Sequence, residues 1–304
     1  MKMSEPAQFS DEGLRGEMLR DEPMSRHVSW RAGGVAQKLY RPADLADLRL
    51  FLQRLPAEEP LLAVGLGSNL LVRDGGYRGT VLQMVGALTE LRMDGDLIYV
   101  QAGVPGAKLA RFAASNNLCG AEFFVGIPGT LGGMLAMNAG CYGGETWQKV
   151  QRVQVLTRSG ELLERTPQEY DVGYRHVALH KASEEFFVGA WLKLETGDVG
   201  KARQDIKALM EKRSASQPLQ LPNAGSVFRN PEGGHAAKLI EGCGLKGRRI
   251  GGAEVSQKHA NFIVNVGGAT AADIENLIEE VRATVLQQTG VALHPEVRIV
   301  GEAA

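Results

Sequence analysis

Residues 126–140 read Gly-Ile-Pro-Gly-Thr-Leu-Gly-Gly-Met-Leu-Ala-Met-Asn-Ala-Gly, a stretch with five glycines, one proline and no charged side chain. Its only strongly polar side chains are those of Thr130 and Asn138. Glycine costs backbone entropy and packs no side chain, so such a run requires a reason. Close approach of backbone N–H groups to a flat or anionic ligand is one reason. The alternative is a series of turns between buried strands.

A second glycine-rich loop favours the ligand-binding interpretation. Residues 61–64 and 70–72 are short apolar runs typical of strands, and Gly-Leu-Gly-Ser-Asn at 65–69 lies between them. A Rossmann fingerprint would need a helix after the glycines, and a Walker loop would need Gly-Lys-Ser/Thr. The small residues allow a diphosphate to reach main-chain donors, and Ser68 and Asn69 add side-chain donors.

Together the two loops resemble the FAD-binding core of the vanillyl-alcohol-oxidase type. Within that superfamily the chain is most similar to the UDP-N-acetylenolpyruvoylglucosamine reductases, the flavoenzymes that complete the muramic acid precursor of peptidoglycan. The similar segments extend from Trp-Arg-Ala-Gly-Gly at 30–34 to His-Pro-Glu-Val-Arg at 294–298, nearly the whole chain. The resemblance implies an α+β protein with a two-part FAD-binding domain and a smaller α+β substrate domain. It also implies non-covalent FAD, NADPH as co-substrate and a UDP-sugar as substrate.

The bulk composition is that of an ordinary soluble protein. The 304 residues are 44% hydrophobic and 23% charged, with a net charge of -1 that gives no sign of nucleic acid binding. The three cysteines form no CxxC, zinc or disulfide pattern, so we expect free thiols and no metal. The N-terminal 21 residues lack an apolar core, and no apolar run approaches the roughly 20 residues that span a bilayer. We therefore expect a cytoplasmic monomer without a membrane partner.

Changes in composition divide the chain into four segments. We expect a flexible N-terminal segment over 1–24, FAD-binding parts over 25–86 and 87–200, and a substrate domain over 201–304. The last strand, at about 294–300, is expected to return to the active site. Apolar spacing predicts a surface helix ending near Pro56 and further helices after Gly106, over 201–213, around 236–241 and from Thr270, where Asp273 forms a capping box. It also predicts a hairpin that turns at Ser159-Gly160.

The cofactor contacts follow from the resemblance, which places FAD near the segment at 28–34 and against the two glycine loops. The implied FAD-binding residues are Arg31, Gly65, Gly67, Ser68, Asn69, Gly126, Ile127, Pro128, Gly129, Thr130, Gly132, Gly133, Asn138, Ala139 and Gly140.

Reduction of an enolpyruvyl double bond places hydride on one carbon and leaves an enolate-like charge on the other. That charge needs an electrophile and an acid. Ser226, in Gly-Ser-Val-Phe-Arg-Asn-Pro, is the candidate acid, because an enolate is basic enough to accept a proton from a hydroxyl; the alternative is a turn serine. Arg175 is the candidate electrophile, because guanidinium is always charged and can fork onto a carboxylate; the alternative is a surface arginine. The resemblance implies the catalytic role for both.

Glu296 is the third candidate catalytic residue. Taken alone, a glutamate on a late strand is most often solvated, but the resemblance implies that it completes a trio with the arginine and the serine. A carboxylate beside the substrate carboxylate is costly unless it is protonated or bridged by a cation. We therefore hypothesise that Glu296 helps to hold a proton near the substrate.

The substrate contacts also follow from the resemblance. Arg229 suits the diphosphate, Asn230 supports the serine loop, and the segment 253–262 resembles a nucleotide-sugar loop in which His259 could equally be a turn residue. The implied substrate-binding residues are Tyr174, Arg229, Asn230, Lys258, His259 and Asn261. The short run between Trp191 and the helix at Lys201 indicates the type of family member without an extra lid loop.

Two other functions remain open on the sequence. An FAD oxidase or dehydrogenase acting on an alcohol or sugar would keep both glycine loops but would not need Ser226, Arg175 and Glu296 in these settings. A non-catalytic nucleotide-binding module would show no turnover with NADPH.

Overall fold

The computed structural model of the chain describes residues 12–181 and 183–304. The β-strands, in chain order, are β1 Glu17–Pro23, β2 Val35–Arg41, β3 Leu61–Val64, β4 Leu70–Val72, β5 Tyr77–Gln83, β6 Leu91–Asp94, β7 Leu97–Gln101, β8 Leu118–Cys119, β9 Gly140–Cys141, β10 Gly144–Glu145, β11 Val150–Thr157, β12 Leu162–Arg165, β13 Tyr170–Gly173, β14 His176–Leu179, β15 Glu185–Lys193, β16 Glu195–Thr196, β17 Arg249–Ile250, β18 Ala253–Val255, β19 Ile263–Asn265 and β20 Arg298–Val300. The α-helices are α1 Leu45–Arg54, α2 Gly106–Ser115, α3 Leu131–Ala136, α4 Val199–Ser216, α5 Ala236–Gly242 and α6 Ala271–Thr289.

A four-stranded sheet in the order β1-β2-β5-β3 forms the first part of the fold. Strand β1 is antiparallel to β2, whereas β5 is parallel to both β2 and β3. Helix α1 begins after Asp44, whose carboxylate accepts a hydrogen bond from the Asp47 N–H at 2.9 Å. Its Leu48, Phe51 and Leu52 are fully buried, so the predicted helix is confirmed but packs one face into the core.

The N-terminal segment differs from the expectation of a flexible stretch over 1–24. Residues 1–11 lie outside the described residues, but Glu17–Pro23 forms strand β1 and pairs with β2 along its length. The strand lies at a sheet edge, and its side chains are exposed or half-buried for the most part, so its sequence lacks the apolar alternation of a half-buried strand. Backbone pairing and the Arg15 N–H, which donates to Asp47 Oδ1 at 2.7 Å, hold it in place.

A five-stranded antiparallel sheet in the order β12-β11-β15-β7-β6 forms the second part. The predicted hairpin between β11 and β12 is confirmed, and Gly160 occupies its turn with φ 78°. Helices α2, α3 and α4 share one hydrophobic core with this sheet, to which they contribute Leu109, Leu135 and Ile206 among others.

The C-terminal part combines the sheet β17-β18-β19 with α5 and α6. The capping box predicted at the start of α6 is confirmed, because the Thr270 side chain accepts from the Asp273 N–H at 3.0 Å and Asp273 Oδ2 accepts from the Thr270 N–H. The core of this part also includes Trp30 from the beginning of the chain, whose Nε1–H donates to Ile263 O at 2.8 Å. The C-terminal part is thus tied to the first.

The chain ends by crossing back to the first part. Strand β20 lies parallel to β4, with Arg298 beside Leu70 and Val300 beside Val72. Because β4 directly follows the loop at 65–69, this pairing brings the residues before β20 to that loop. The mixture of separate sheets and helices confirms the predicted α+β class.

Candidate active site

One cavity of about 310 Å³ lies between the two glycine loops and the C-terminal part. Of the residues predicted from the sequence, its lining includes Gly65, Gly67, Ser68, Asn69, Gly126, Ile127, Pro128, Gly129, Thr130, Gly133, Ala139, Gly140, Arg175, Ser226 and Glu296. The three candidate catalytic residues and most of the candidate cofactor residues therefore face one space, although they come from distant parts of the sequence.

Steric contacts explain the glycines of the loop at 65–69. A Cβ on Gly65 would lie 2.3 Å from Thr130 Oγ1, so the two glycine loops contact each other where no side chain fits. Gly67 has φ 60°, and a Cβ there would lie 2.2 Å from His27 O. The Gly67 carbonyl accepts from the Ser29 N–H at 3.1 Å, which anchors this loop to the start of the chain.

The sequence suggested that the whole stretch at 126–140 is a loop, but the structure contains a short helix within it. Leu131–Ala136 forms the short helix α3, whose Leu131 and Leu135 are buried against the second part. Gly132 packs toward Ala102 outside the cavity lining, whereas a Cβ on Gly133 would meet open space within the cavity. Small residues therefore serve core packing on one side of α3 and leave room for a ligand on the other.

Thr130 carries the clearest sign that the cavity is built for a ligand. Thr130 is 1% exposed, and its Oγ1 has no hydrogen-bond partner within the described part of the chain. A buried hydroxyl without a partner is unfavourable, so a ligand atom is the expected partner. Gly129, the residue before Thr130, also lies close to the other glycine loop, because a Cβ added to it would be 3.5 Å from Ser68 Oγ. Small residues therefore line the space next to the Thr130 hydroxyl. These features fit a flat cofactor with a diphosphate, as FAD is.

Arg175 lies at the tip of the β13–β14 hairpin, in the left-handed conformation with φ 54°. Its Nε donates to Glu296 Oε1 at 2.8 Å, and its terminal nitrogens donate to Gly140 O at 2.9 Å and to Asn138 O at 3.4 Å. Its guanidinium also lies 5.0 Å from the ring centroid of Tyr174. The arginine is thereby fixed at the edge of the cavity by acceptors on both sides.

Glu296 comes to the cavity on the segment that leads into β20. Its N–H donates to Val227 O at 2.7 Å, and its carbonyl accepts from Asn69 Nδ2 at 3.0 Å. Burial raises the pKa of the Glu296 carboxyl, and the positive charges of Arg175 and Arg229 offset part of this rise. The site thus holds a carboxyl that accepts a proton more readily than an ordinary glutamate.

Ser226 lines the same cavity from the C-terminal part. The segment after it is clamped by Asn261, whose carbonyl accepts from the Val227 N–H at 2.9 Å and whose side-chain amide pairs with both backbone groups of Phe228. Gly225, which precedes Ser226, has φ 73° and open space around its Cα. The serine is therefore presented on a rigid loop with room for a ligand beside it.

Several predicted site residues lie outside the cavity lining. Arg31 is exposed, Asn230 Oδ1 accepts from the Ala236 N–H at the start of α5, and Lys258 Nζ donates to Ser214 O at 2.7 Å. His259 is half-buried against Phe262, and burial lowers its pKa. The remaining residues of this group are Gly132, Asn138, Tyr174, Arg229 and Asn261.

The cavity lining also includes residues that the sequence did not single out. They are mostly apolar neighbours of the motifs, and the chief ones are Met134, Met137, Cys141, Gln217, Phe262 and Arg298. Burial raises the pKa of the Cys141 thiol to about 11, so this thiol stays neutral at ordinary pH. Their adjacency to the glycine loops and to the Ser226 segment was the only signal in the sequence.

Comparison with known proteins gives the class and then the family. Residues 36–166 match the family model of an FAD binding domain, and residues 217–300 match that of the UDP-N-acetylenolpyruvoylglucosamine reductase C-terminal domain. Fold and site thus define a flavin-dependent oxidoreductase with a separate C-terminal domain. The UDP-N-acetylenolpyruvoylglucosamine reductases of Thiobacillus denitrificans and Methylococcus capsulatus are 57% and 54% identical to the chain. The first alignment covers 95% of this chain and 94% of the relative, and the second covers 100% and 99%. The chain belongs to the UDP-N-acetylenolpyruvoylglucosamine reductase family, which confirms the resemblance.

A solved structure agrees with this assignment. The crystal structure of UDP-N-acetylenolpyruvylglucosamine reductase from Thermus caldophilus is 31% identical and superposes with a TM-score of 0.80, over 94% of this chain and 98% of that one. Across residues 12–181 and 183–304, no helix is long and apolar enough to cross a membrane.

Proposed function

We propose that the chain uses NADPH to reduce the enolpyruvyl group of UDP-N-acetylenolpyruvoylglucosamine, giving UDP-N-acetylmuramate. The observation that carries this proposal is the meeting of Arg175, Glu296 and Ser226 at one cavity beside both glycine loops. An alcohol or sugar oxidase would not need a half-buried arginine–glutamate pair at the same cavity as this serine. FAD, held by the loops at 65–69 and 126–140, supplies hydride transfer when bound.

Arg175 is proposed to bind the substrate carboxylate and to stabilise the enolate. A guanidinium has five N–H donors. Three of these donors bind Glu296, Asn138 O and Gly140 O, which leaves two donors for an incoming carboxylate. Because the arginine is already oriented by protein acceptors, little reorganisation is needed when negative charge develops.

Glu296 is proposed to keep the charge at this position balanced. Its carboxylate neutralises Arg175 before substrate binds. When the substrate carboxylate arrives, two negative groups share one arginine, which favours proton uptake by Glu296, whose pKa is already raised by burial. A protonated Glu296 would then stabilise the enolate by hydrogen bonding instead of repelling it.

Ser226 is proposed to deliver the proton to the enolate carbon. It lines the cavity, and Asn261 anchors the loop directly after it by two hydrogen bonds to Phe228. Hydride adds to one carbon of the double bond and the Ser226 proton to the other, so the enolpyruvyl ether becomes a lactyl ether. The serine regains its proton from solvent afterwards. One cavity for both NADPH and the UDP-sugar implies that they bind in turn.

Identification of the product tests this proposal. The purified protein is supplied with FAD, NADPH and the enolpyruvyl UDP-sugar, and the sugar nucleotide is analysed by mass spectrometry. We expect a product heavier than the substrate by two hydrogen atoms, formed in equal amount to the NADPH consumed. Consumption of NADPH without this product, in reactions kept free of oxygen, would contradict the proposed substrate.

A further inference from the structure

Asn138 lies outside the cavity lining but makes three side-chain hydrogen bonds beneath it. Its side chain is buried, and its backbone adopts φ 41°. Asn138 Oδ1 accepts from the Trp147 N–H at 3.1 Å, and Nδ2 donates to Glu145 Oε2 at 3.0 Å and to Gly173 O at 3.1 Å. The last of these bonds leaves the glycine-rich stretch and reaches the β13–β14 hairpin.

The hairpin that carries Arg175 is supported at its base rather than at its tip. Strands β13 and β14 form a separate two-stranded sheet, and their Tyr170, Val172, Val177 and Leu179 pack against the core of the second part, whereas Tyr174 at the tip is 47% exposed. Gly173 pairs with His176 across the turn, so Tyr174 and Arg175 form its tip. Arg175 also carries the strain of a left-handed conformation. A tether at Gly173 therefore acts on the part of the hairpin that sets the direction of the arginine.

The contacts between this turn and Asn138 run in both directions. The Asn138 side chain donates to Gly173 O, while Arg175 donates to the Asn138 carbonyl at 3.4 Å and to Gly140 O. The turn and the end of the glycine-rich stretch are thus fastened at the backbone and at the guanidinium. On the opposite side Arg175 meets Glu296 at 2.8 Å, so a shift of the turn would change that distance directly.

We propose that Asn138 is a positioning residue that fixes the Arg175 turn against Glu296, and not a contact of the cofactor. This inference rests on the proposed role of Arg175 in enolate stabilisation. Because a small misplacement of a catalytic group slows a reaction strongly, loss of the Gly173 tether is expected to slow only the step that uses Arg175.

The variant Asn138→Asp isolates the tether. Aspartate keeps the volume, tolerates the left-handed backbone and still accepts from Trp147, but in its ionised form it has no donor for Gly173 O, so the rates are measured at a pH at which the carboxyl is ionised. Its charge would repel Glu145, so the variant is made in a Glu145→Gln background, and Glu145→Gln alone is the matched control. Glu145 contacts Asn138 but lies outside the cavity lining.

Two half-reactions and one exchange measurement are followed. Relative to Glu145→Gln, the double variant N138D/E145Q should retain FAD content and the rate at which NADPH bleaches the flavin within about twofold. Recolouring, which is the return of the oxidised flavin absorbance when the enolpyruvyl UDP-sugar is added, should slow by about tenfold or more. In the flavin-free protein, amide hydrogen exchange of the hairpin tip at 173–176 should become faster, because the tip has lost its tether. The inference would be overturned if the double variant recolours at the rate of Glu145→Gln, or if bleaching and FAD content fall together with recolouring.

A double-mutant cycle with Arg175→Lys separates positioning from general damage. All members of the cycle carry Glu145→Gln. If Asn138 acts through the arginine, N138D should slow recolouring much less when residue 175 is lysine than when it is arginine. Equal slowing in both backgrounds would show an independent structural effect and overturn the inference alone. Recolouring of Arg175→Lys at the parental rate would overturn the proposed role of Arg175, and this inference with it.

Discussion

Arg175 and Glu296 are separated by 121 residues, yet Arg175 Nε lies 2.8 Å from Glu296 Oε1 and both side chains are 15% exposed. The arginine belongs to the second part of the fold, and the glutamate lies just before the strand that crosses from the C-terminal part to β4. The pair therefore exists only when all three parts have folded together. It also lines the same cavity as Ser226 and the two glycine loops.

The pair predicts a specific defect in Arg175→Lys. Lysine keeps the charge but cannot reach Glu296, Gly140 O and a substrate carboxylate together, because it lacks the planar fork. We expect recolouring by the UDP-sugar to slow by about 100-fold, whereas bleaching by NADPH changes little. Stopped-flow absorbance measures both steps. Arg203→Lys, at an exposed position on α4, is the control and should behave as the parent. Equal slowing of the two steps would argue against a role at the enolate.

The raised pKa of Glu296 predicts a pH-dependent change in stability. A carboxyl whose pKa is higher in the folded protein than in the unfolded chain favours folding while it is protonated. The parent should therefore lose stability relative to Glu296→Gln as pH rises from below the ordinary value of 4.5 through the raised folded pKa, and the difference should be constant above it. Urea denaturation of the flavin-free protein between pH 4 and 8 measures this difference.

Glu161→Gln is the control for that experiment, because Glu161 is exposed and its replacement removes a solvated carboxyl. A parent that gains stability relative to Glu296→Gln as pH rises would contradict the account of Glu296.

Ser226→Ala should separate the proton from the hydride. The alanine variant keeps the loop that Asn261 clamps but has no hydroxyl to donate. We expect FAD binding and bleaching by NADPH to be retained, and recolouring to slow by about 100-fold to 10,000-fold. The exposed Ser115→Ala should recolour at the parental rate. If Ser226→Ala does the same, the proton comes from another group.

The unpartnered Thr130 hydroxyl predicts opposite effects on cofactor binding and on stability. Thr130→Val removes the hydroxyl at nearly constant volume. FAD affinity should fall by about tenfold, while the flavin-free protein should be as stable as the parent or more stable by about 1 kcal/mol. The matched control is Thr80→Val, because Thr80 Oγ1 is also buried but donates to Glu59 Oε1 at 2.8 Å.

Thr80→Val should lower the free energy of unfolding by about 1–3 kcal/mol and leave FAD affinity unchanged. FAD affinity is measured by fluorescence titration and stability by denaturation. Unchanged FAD affinity in Thr130→Val would mean that the hydroxyl does not face the cofactor.

Local sequence signals predicted the elements that local interactions determine. The capping box of Thr270 and Asp273, the hairpin turn at Gly160 and the strand–loop–strand at 61–72 all appear in the structure. Each depends on hydrogen bonds or steric limits within a few residues, which a single sequence displays directly. The resemblance added the cavity residues, because their motifs recur in the same order.

Long-range contacts explain what the sequence did not predict. Strand β1 is held by an edge pairing with β2, and nothing in its own residues indicates that partner. Asn138 and Asn261 are buried amides within the motifs that predicted ligand binding, yet their side chains bond to the backbone at Gly173 and Phe228. From sequence alone, a buried asparagine that supports a loop looks the same as one that contacts a ligand.

The most direct test of the central claim is an anaerobic spectrum taken in two steps. The protein loaded with FAD is first mixed with NADPH and then with the enolpyruvyl UDP-sugar. The account predicts a yellow protein that bleaches with NADPH and recolours when the sugar is added, because one cavity serves both reactants in turn. A protein that bleaches but stays colourless with the sugar would contradict the proposed reaction of Ser226, Arg175 and Glu296.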